Sequence, residues 1–485
     1  MLKIYFRAIF LCIGTLGFSQ IPNFPTSQAP TPSSLGNFSN PNYGSPARSV
    51  VPSVPHGGLY NQRSSQIQQQ NAKMMEEDFK RVAQEETKKQ QQTEQLLFES
   101  WVENGRNMPY DLPSLSGKAG TQAYYDAFAQ LSGMDADNFS LAESTFTVEN
   151  AFYGNKKNVA QFKSGIQKTA KQLLQKMKER KQDTESNTNK NLMIFEYFSK
   201  DMNLGGTSHK AYQYDFKDYL GEKDWSKMFV SKLISTGSGQ CHSMPLYYLM
   251  LAEAMGADAH LSFAPNHTYV KFKDDEGEWQ NVELTNGIFT TSTVILESGY
   301  IKSEALLNKI YMQDMSKREL LSTSFADLAS GYVHKFGYDD FVEKVIDKAL
   351  ELYPNNISAN MTKSLYQQKR FFNVAKQLGI NPENPQELPN LRFFPKAVEQ
   401  FNNVKAQYDK IDNLGFEFMP LSAYEGWLEG MKKESNKQES EAIKQRIHLY
   451  QLQHQKELQK QKELQKAKPK QEEKPKYFPI DPKHL

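Results

Sequence analysis

The sequence predicts an α+β protein in which helical regions flank a small antiparallel sheet. Three observations predict it. Apolar residues recur at helical spacing through "SLAESTFTVENAFYG", "NVAQFKSGIQKTAKQLLQKMKER" and "NKNLMIFEYFSKDMNL". Three brief alternating or β-branched stretches follow, "AHLSFAP", "HTYVKFK" and "WQNVELT", separated by turn residues. Beyond Ile301 the pattern is helical again.

Taken in order, the chain opens with Lys3 and Arg7 around the apolar run "AIFLCIGTLGF", with Gly17 and Ser19 at small-residue positions. That is the order of a secretory signal over residues 1–19, so the product is expected to be exported, periplasmic or secreted. The run falls short of the roughly 18 to 20 apolar residues that a membrane helix needs, and no later stretch approaches that length. No integral membrane segment is expected once the signal is removed. Cys12 lies inside the run rather than behind a Leu-Ala-Gly type of sequence, which argues against lipid attachment.

Residues 20–70 are rich in Pro, Ser, Asn and Gln without a sustained apolar period, and read as a disordered tether. Residues 71–134 form a charged helical region whose few apolar positions include Met75, Phe79, Val82, Leu96 and Leu97; a solvated or coiled helix accounts for it. The packed core is expected over 135–300 and a helical region over 301–440. In the latter, "GYDDFVEKVIDKALELYPNNISA" resembles the second helix of a tetratricopeptide repeat: Gly337-Tyr338 opens it, Ala349-Leu350 takes the tightly packed position, and Pro354 ends it. One unit is clear where a free-standing solenoid needs about three, so an ordinary helical hairpin docked on the core is an equal reading. Residues 441–485 are a charged, Lys-rich helix and tail.

Lys and Arg number 58 against 56 Asp and Glu, and loss of Lys3 and Arg7 would leave 56 of each. This balance gives no electrostatic argument for a nucleic-acid partner. The chain has two cysteines. Removing the signal takes Cys12 and leaves Cys241 alone, so stability must come from burial rather than disulfides.

Cys241 sits where a loop becomes a helix. In "STGSGQCHSMPLYYLMLAEAMG", Ser238 and Gly239 permit a sharp turn, Pro245 suits a first helical turn, and Gly256 can cap the end. At a helix N-terminus the unpaired N–H groups favour thiolate, the form that attacks a carbonyl carbon. A lone cysteine there is also a common small buried side chain. The hairpin "HTYVKFKDDEGEWQNVELT" adds the rest. His267, Tyr269 and Lys271 share one face of its first strand; Trp279, Asn281, Glu283 and Thr285 share one of its second. With the register centred on Asp275, His267 lies opposite Glu283; with Gly277 left-handed, Glu283 becomes a diagonal neighbour. Either places a carboxylate within reach of the imidazole. Asp274 and Asp275 fall in the turn and are expected to point into water, whereas Asn281 is an alternative orienter.

A Gly-x-Cys at a helix start, a strand His and a Trp-x-x-Val-acid-x-Thr segment resemble the transglutaminase-like branch of the papain-like superfamily, in an exported bacterial form. The matching residues are Gly239-Gln240-Cys241, His267 and Trp279-Gln280-Asn281-Val282-Glu283-Leu284-Thr285. The resemblance covers residues 140–290 and departs from the family in having Glu283 where Asp is usual. It implies a transglutaminase-like core and a Cys241–His267–Glu283 triad. It further implies a hydrolase or acyltransferase acting on a peptide or isopeptide amide of a peptide or protein substrate. The alternative is a non-catalytic peptide- or protein-binding module on the same fold, with a helical repeat scaffold.

No cofactor is expected. A metal site from Cys241, His260, His267 and Glu283 is conceivable by residue type, but no paired ligand spacing supports it. His242 is expected to be structural or exposed, and His260 an ordinary half-buried histidine. For a second oxyanion donor beside the Cys241 N–H, the candidates are Gln240, Tyr214 and Trp225. The aromatic stretch 212–225 suits either a cleft wall or a packed surface.

Overall fold

The computed structural model describes residues 58–434 apart from Ser298. The signal segment, the tether up to residue 57 and the Lys-rich helix and tail from 441 lie outside the described residues. The chain divides into two compact units.

In one unit, helix α1 (Gly58–Asn107) meets residues 374–398. The helix begins at Gly58, so residues 58–70 of the expected tether are helical. Past Gly58 that stretch is Gln-rich and free of Gly and Pro, and extending a helix that already exists costs little per residue. Met75, Phe79, Val82, Leu96 and Leu97 all stay exposed. Near its C-terminal end the helix is anchored: Trp101 Nε1 donates to the Leu378 carbonyl at 2.8 Å, and its ring meets Phe394 edge-on at 4.9 Å. Gly105 makes this approach possible, since a Cβ there would lie 2.3 Å from the Phe394 ring.

The other unit holds α2 (Gln122–Ser132), α3 (Leu141–Phe152), α4 (Val159–Glu179), α5 (Asn187–Ser199), α6 (Val230–Thr236) and α7 (Ser243–Met255). Tyr124, Ala127 and Leu131 of α2 share one core with the later elements, so packing begins upstream of the expected boundary at 135. The apolar stripe of α2 is too short to register as a core helix in isolation. Helix α7 is buried over most of its length; it packs against α4 and α5 and against the sheet, which is why it is apolar all round. Gly256 ends it with φ +64.

The sheet is an antiparallel meander of β5 (His260–Ala264), β6 (His267–Lys273), β7 (Trp279–Glu283) and β8 (Ile288–Thr290), preceded by short pairings of β1 (Met202–Leu204) with β2 (Thr207–His209) and of β3 (Gln213–Tyr214) with β4 (Ser238–Gly239). The β6–β7 register pairs Val270 with Val282, and Gly277 has φ +91. This is the diagonal one of the two expected registers. Asp274 is half-buried and Asp275 is exposed as expected, but both carboxylates are also hydrogen-bonded. Asp274 accepts the N–H groups of Glu276 and Glu278 within the turn, and Asp275 accepts those of Asn187 and Thr188 at the start of α5.

After two short helices, α8 (Ser292–Glu297) and α9 (Ser303–Leu307), α10 (Lys317–Phe336) and α11 (Asp340–Leu352) form a helical hairpin docked on the core. A reciprocal Ser316–Glu319 capping box starts α10, and its Phe325 and Tyr332 join the core with Phe341 of α11. Helices α12 (Ile357–Gln377), α13 (Pro395–Asn413) and α14 (Leu421–Glu434) follow. No described helix is long and apolar enough to cross a membrane.

Candidate active site

Cys241 lies two residues before α7, and the Met244 N–H already donates to the Gln240 carbonyl there. The parallel β3–β4 bridge aligns Tyr214 with Gly239, and the Asp215 N–H donates to the Gly239 carbonyl at 2.8 Å. Gly239 sits in a tight place: a Cβ would meet Ser243 Oγ at 2.7 Å and Leu233 Cδ1 at 2.8 Å, so these side chains would have to shift. From the sheet, the Thr268 hydroxyl donates to the Cys241 carbonyl and ties the loop before α7 to β6.

His267 opens β6 after a two-residue connection whose Asn266 is left-handed, φ +54. Its Nε2 donates to Glu283 Oε2 at 2.7 Å, and both side chains are almost wholly buried, 4% and 6% exposed. The second Glu283 oxygen accepts the Thr285 N–H at 2.8 Å. With Nε2 committed, buried Nδ1 is left without a hydrogen-bond partner and is the nitrogen available to the thiol. Asn281 does not orient the imidazole: its amide nitrogen faces the Thr290 carbonyl and Ser292 Oγ.

Burial opposes the ionisation of Cys241, but the adjacent His267 imidazole, with the Tyr424 and Tyr214 hydroxyls, outweighs it and leaves the thiol below its ordinary value. Burial likewise pushes the His267 imidazole down, yet the Glu283 carboxylate and the thiol raise it to about 10. Burial pulls Glu283 upward, and the charge and hydrogen bond of His267 hold it below the ordinary carboxylate range. The three shifts run in the direction that favours thiolate, imidazolium and carboxylate together.

Two phenols flank the sulfur. Burial first, and then the thiolate charge, push Tyr214 and Tyr424 well above 10, so both stay protonated donors. Tyr424 Oη is 3.8 Å from Cys241 Sγ, while buried Tyr214 Oη has no hydrogen-bond partner of its own. Trp427 stands edge-on to the His267 ring at 4.6 Å and stacks on Tyr424 at 5.7 Å. Tyr424 and Trp427 come from α14 and were not among the expected site residues. Their i, i+3 spacing marks one helix face, but nothing local says which surface that face covers.

Of the other oxyanion candidates, the Gln240 amide nitrogen is committed to the Asp218 carbonyl. Trp225 stacks on His334 at 5.0 Å and lines a cavity of about 70 Å³ with Glu149, His242 and Asp327. His242 is held there by the Met228 carbonyl and by Asp327, each at 3.0 Å. His260 is half-buried, with Nδ1 3.1 Å from the Met315 carbonyl. Among the described residues no group of three or more His, Cys, Asp or Glu side chains is arranged to hold a metal ion. No family model, curated protein or solved structure matches this chain.

Proposed function

We propose that the protein is an exported cysteine hydrolase or acyltransferase of transglutaminase-like type, acting on a peptide or isopeptide amide through Cys241, His267 and Glu283. One observation carries the reading: a buried imidazole bonded by Nε2 to a buried carboxylate, with Nδ1 free beside a thiol whose ionisation it promotes. Export rests on the signal-like first residues.

In this mechanism the Cys241 thiolate attacks the amide carbon and the carbonyl π electrons move onto oxygen. The Cys241 N–H and the Tyr214 hydroxyl stabilise that oxyanion. His267 gives its Nδ1 proton to the amine as the C–N bond breaks, leaving a thioester on Cys241. Water, or an acceptor amine in a transfer reaction, then attacks the thioester while His267 takes its proton. Release of the acid or new amide restores the thiolate. Glu283 holds the imidazole orientation and stabilises the imidazolium throughout. The second reading, a binding module on the same fold, draws on the aromatic cover over the thiol.

The pH dependence of Cys241 alkylation by iodoacetamide tests the proposal. The midpoint is expected below the value of about 8.5 for an unperturbed thiol, and His267→Ala should return it there. A wild-type midpoint at or above that value would overturn the nucleophile reading.

A further inference from the structure

The face of α14 over the thiol is the most occupied part of the site. Tyr424 is 1% and Leu428 3% exposed, Tyr424 Oη is 3.8 Å from Cys241 Sγ, and Trp427 covers the His267 ring at 4.6 Å. These aromatic groups stand beside the sulfur, where an acyl group attacked by it would have to lie. We propose that α14 is an intramolecular cover of the catalytic cleft, and that a peptide or protein substrate reaches Cys241 when this helix swings away. The inference rests on the proposed nucleophile and concerns access to it.

Two features fit a cover rather than a permanent wall. One of its polar attachments lies at the edge, where water can replace it: Tyr219 Oη donates to Glu425 at 2.9 Å in an exposed pair, while the bond from Asn266 Nδ2 to the Met419 carbonyl just before the helix, at 3.2 Å, is half-buried. The helix is also weakened from within. Gly426 and Gly430 lie in its interior, and at neither would an added Cβ meet another atom within 4 Å. Packing does not demand these glycines, so their effect here is to lower helix stability relative to alanine. Preceding the helix, Gly415 has φ +85 and a Cβ there would come 2.3 Å from the Ala305 N. That close approach packs the chain against α9 shortly before the helix.

Alkylation rates at pH 7 in the full chain test the cover. Tyr424→Ala with Trp427→Ala should raise the rate at least tenfold, and Gly426→Ala with Gly430→Ala, which stiffens the helix, should lower it at least threefold. Rates within twofold of wild type in both variants, with the low pH midpoint kept, would overturn the cover and leave the nucleophile standing. Labelling only after unfolding, in wild type and in the aromatic variant alike, would overturn both. If the aromatic variant does not fold, the glycine variant decides: slower supports the cover, unchanged overturns it.

Discussion

Glu283 and Asn281 share one strand face, and alternation alone does not choose between them as partners of His267. Position along the strand does. Glu283 ends β7, diagonal to His267 and within 2.7 Å of its Nε2, whereas Asn281 is two residues further into the sheet and bonds toward the Thr290 carbonyl and Ser292. Cross-strand diagonal neighbours stand about 7–8 Å apart at the backbone, a gap that the longer glutamate side chain spans. Glu283→Gln keeps an acceptor of the same shape but removes the charge that holds the imidazolium. Its expected result is a Tm within a few degrees of wild type and a Cys241 alkylation rate at pH 7 about tenfold lower, the effect of one pKa unit on the thiolate fraction. Asn281→Ala should change that rate less than twofold. The reverse order would move the orienting role to Asn281. The thiol, imidazole and acid could be proposed from the sequence because each belongs to a short local pattern. The position of Tyr214 beside Gly239 was not legible, because it depends on the β3–β4 bridge, which joins residues more than twenty apart in sequence.

At the scale of elements, the β6–β7 hairpin was legible for the same reason: alternation over "HTYVKFK" and "WQNVELT" needs no distant partner. The choice of register rested on Gly277, whose φ of +91 is a conformation that only glycine adopts without strain. The docking role of Asp275 was not legible because its partners are remote in sequence. Asp275 docks the hairpin on α5: its carboxylate accepts the N–H groups of Asn187 and Thr188 at 2.9 and 3.3 Å and the Ser186 hydroxyl, and its own N–H donates to Thr188 Oγ1 at 2.8 Å. It supplements the Ser186 cap at a helix N-terminus, where a carboxylate is also favoured by the dipole. Asp275→Ala should therefore cost about 1 kcal/mol, and Asp274→Ala, whose bonds stay within the hairpin, should cost less. Denaturant unfolding with an unchanged m-value measures the difference, and equal losses would show that the docking adds nothing. Helix α14 was visible as a helix but not as part of the site, since its contact with Cys241 spans 183 residues.

Over the described residues, α2, α7 and the α10–α11 hairpin contribute to one core, and buried ionisable groups beside it are expected to shape the response of the fold to pH. Glu149 of α3 accepts the Val230 and Ser231 N–H groups at 2.6 and 3.0 Å, capping α6 from outside the helix. Burial, only partly offset by these bonds and by His242, pushes its carboxyl up to about 7. Since the folded value exceeds the ordinary 4.5, its contribution to stability is complete below about pH 4.5 and is lost as the pH rises through 7. His242 and His267 run the same way at higher pH. Burial lowers each, but Asp327 raises the first to about 9 and Glu283 the second to about 10, so their contributions are present below about 6.5 and are lost through those values. The depressed Cys241 thiol offsets part of that alkaline loss. The wild-type protein should thus lose stability from pH 5 to 8, with Glu149 the largest single cause, of order 3 kcal/mol for a shift of this size. Glu149→Gln retains an acceptor for the α6 N–H groups without the buried charge. It should flatten the fall in Tm between pH 5 and 8 while leaving the loss above pH 9 in place. A variant whose Tm falls as steeply as wild type across that window would show that Glu149 ionises in the folded protein without penalty, and that its cavity is open to water.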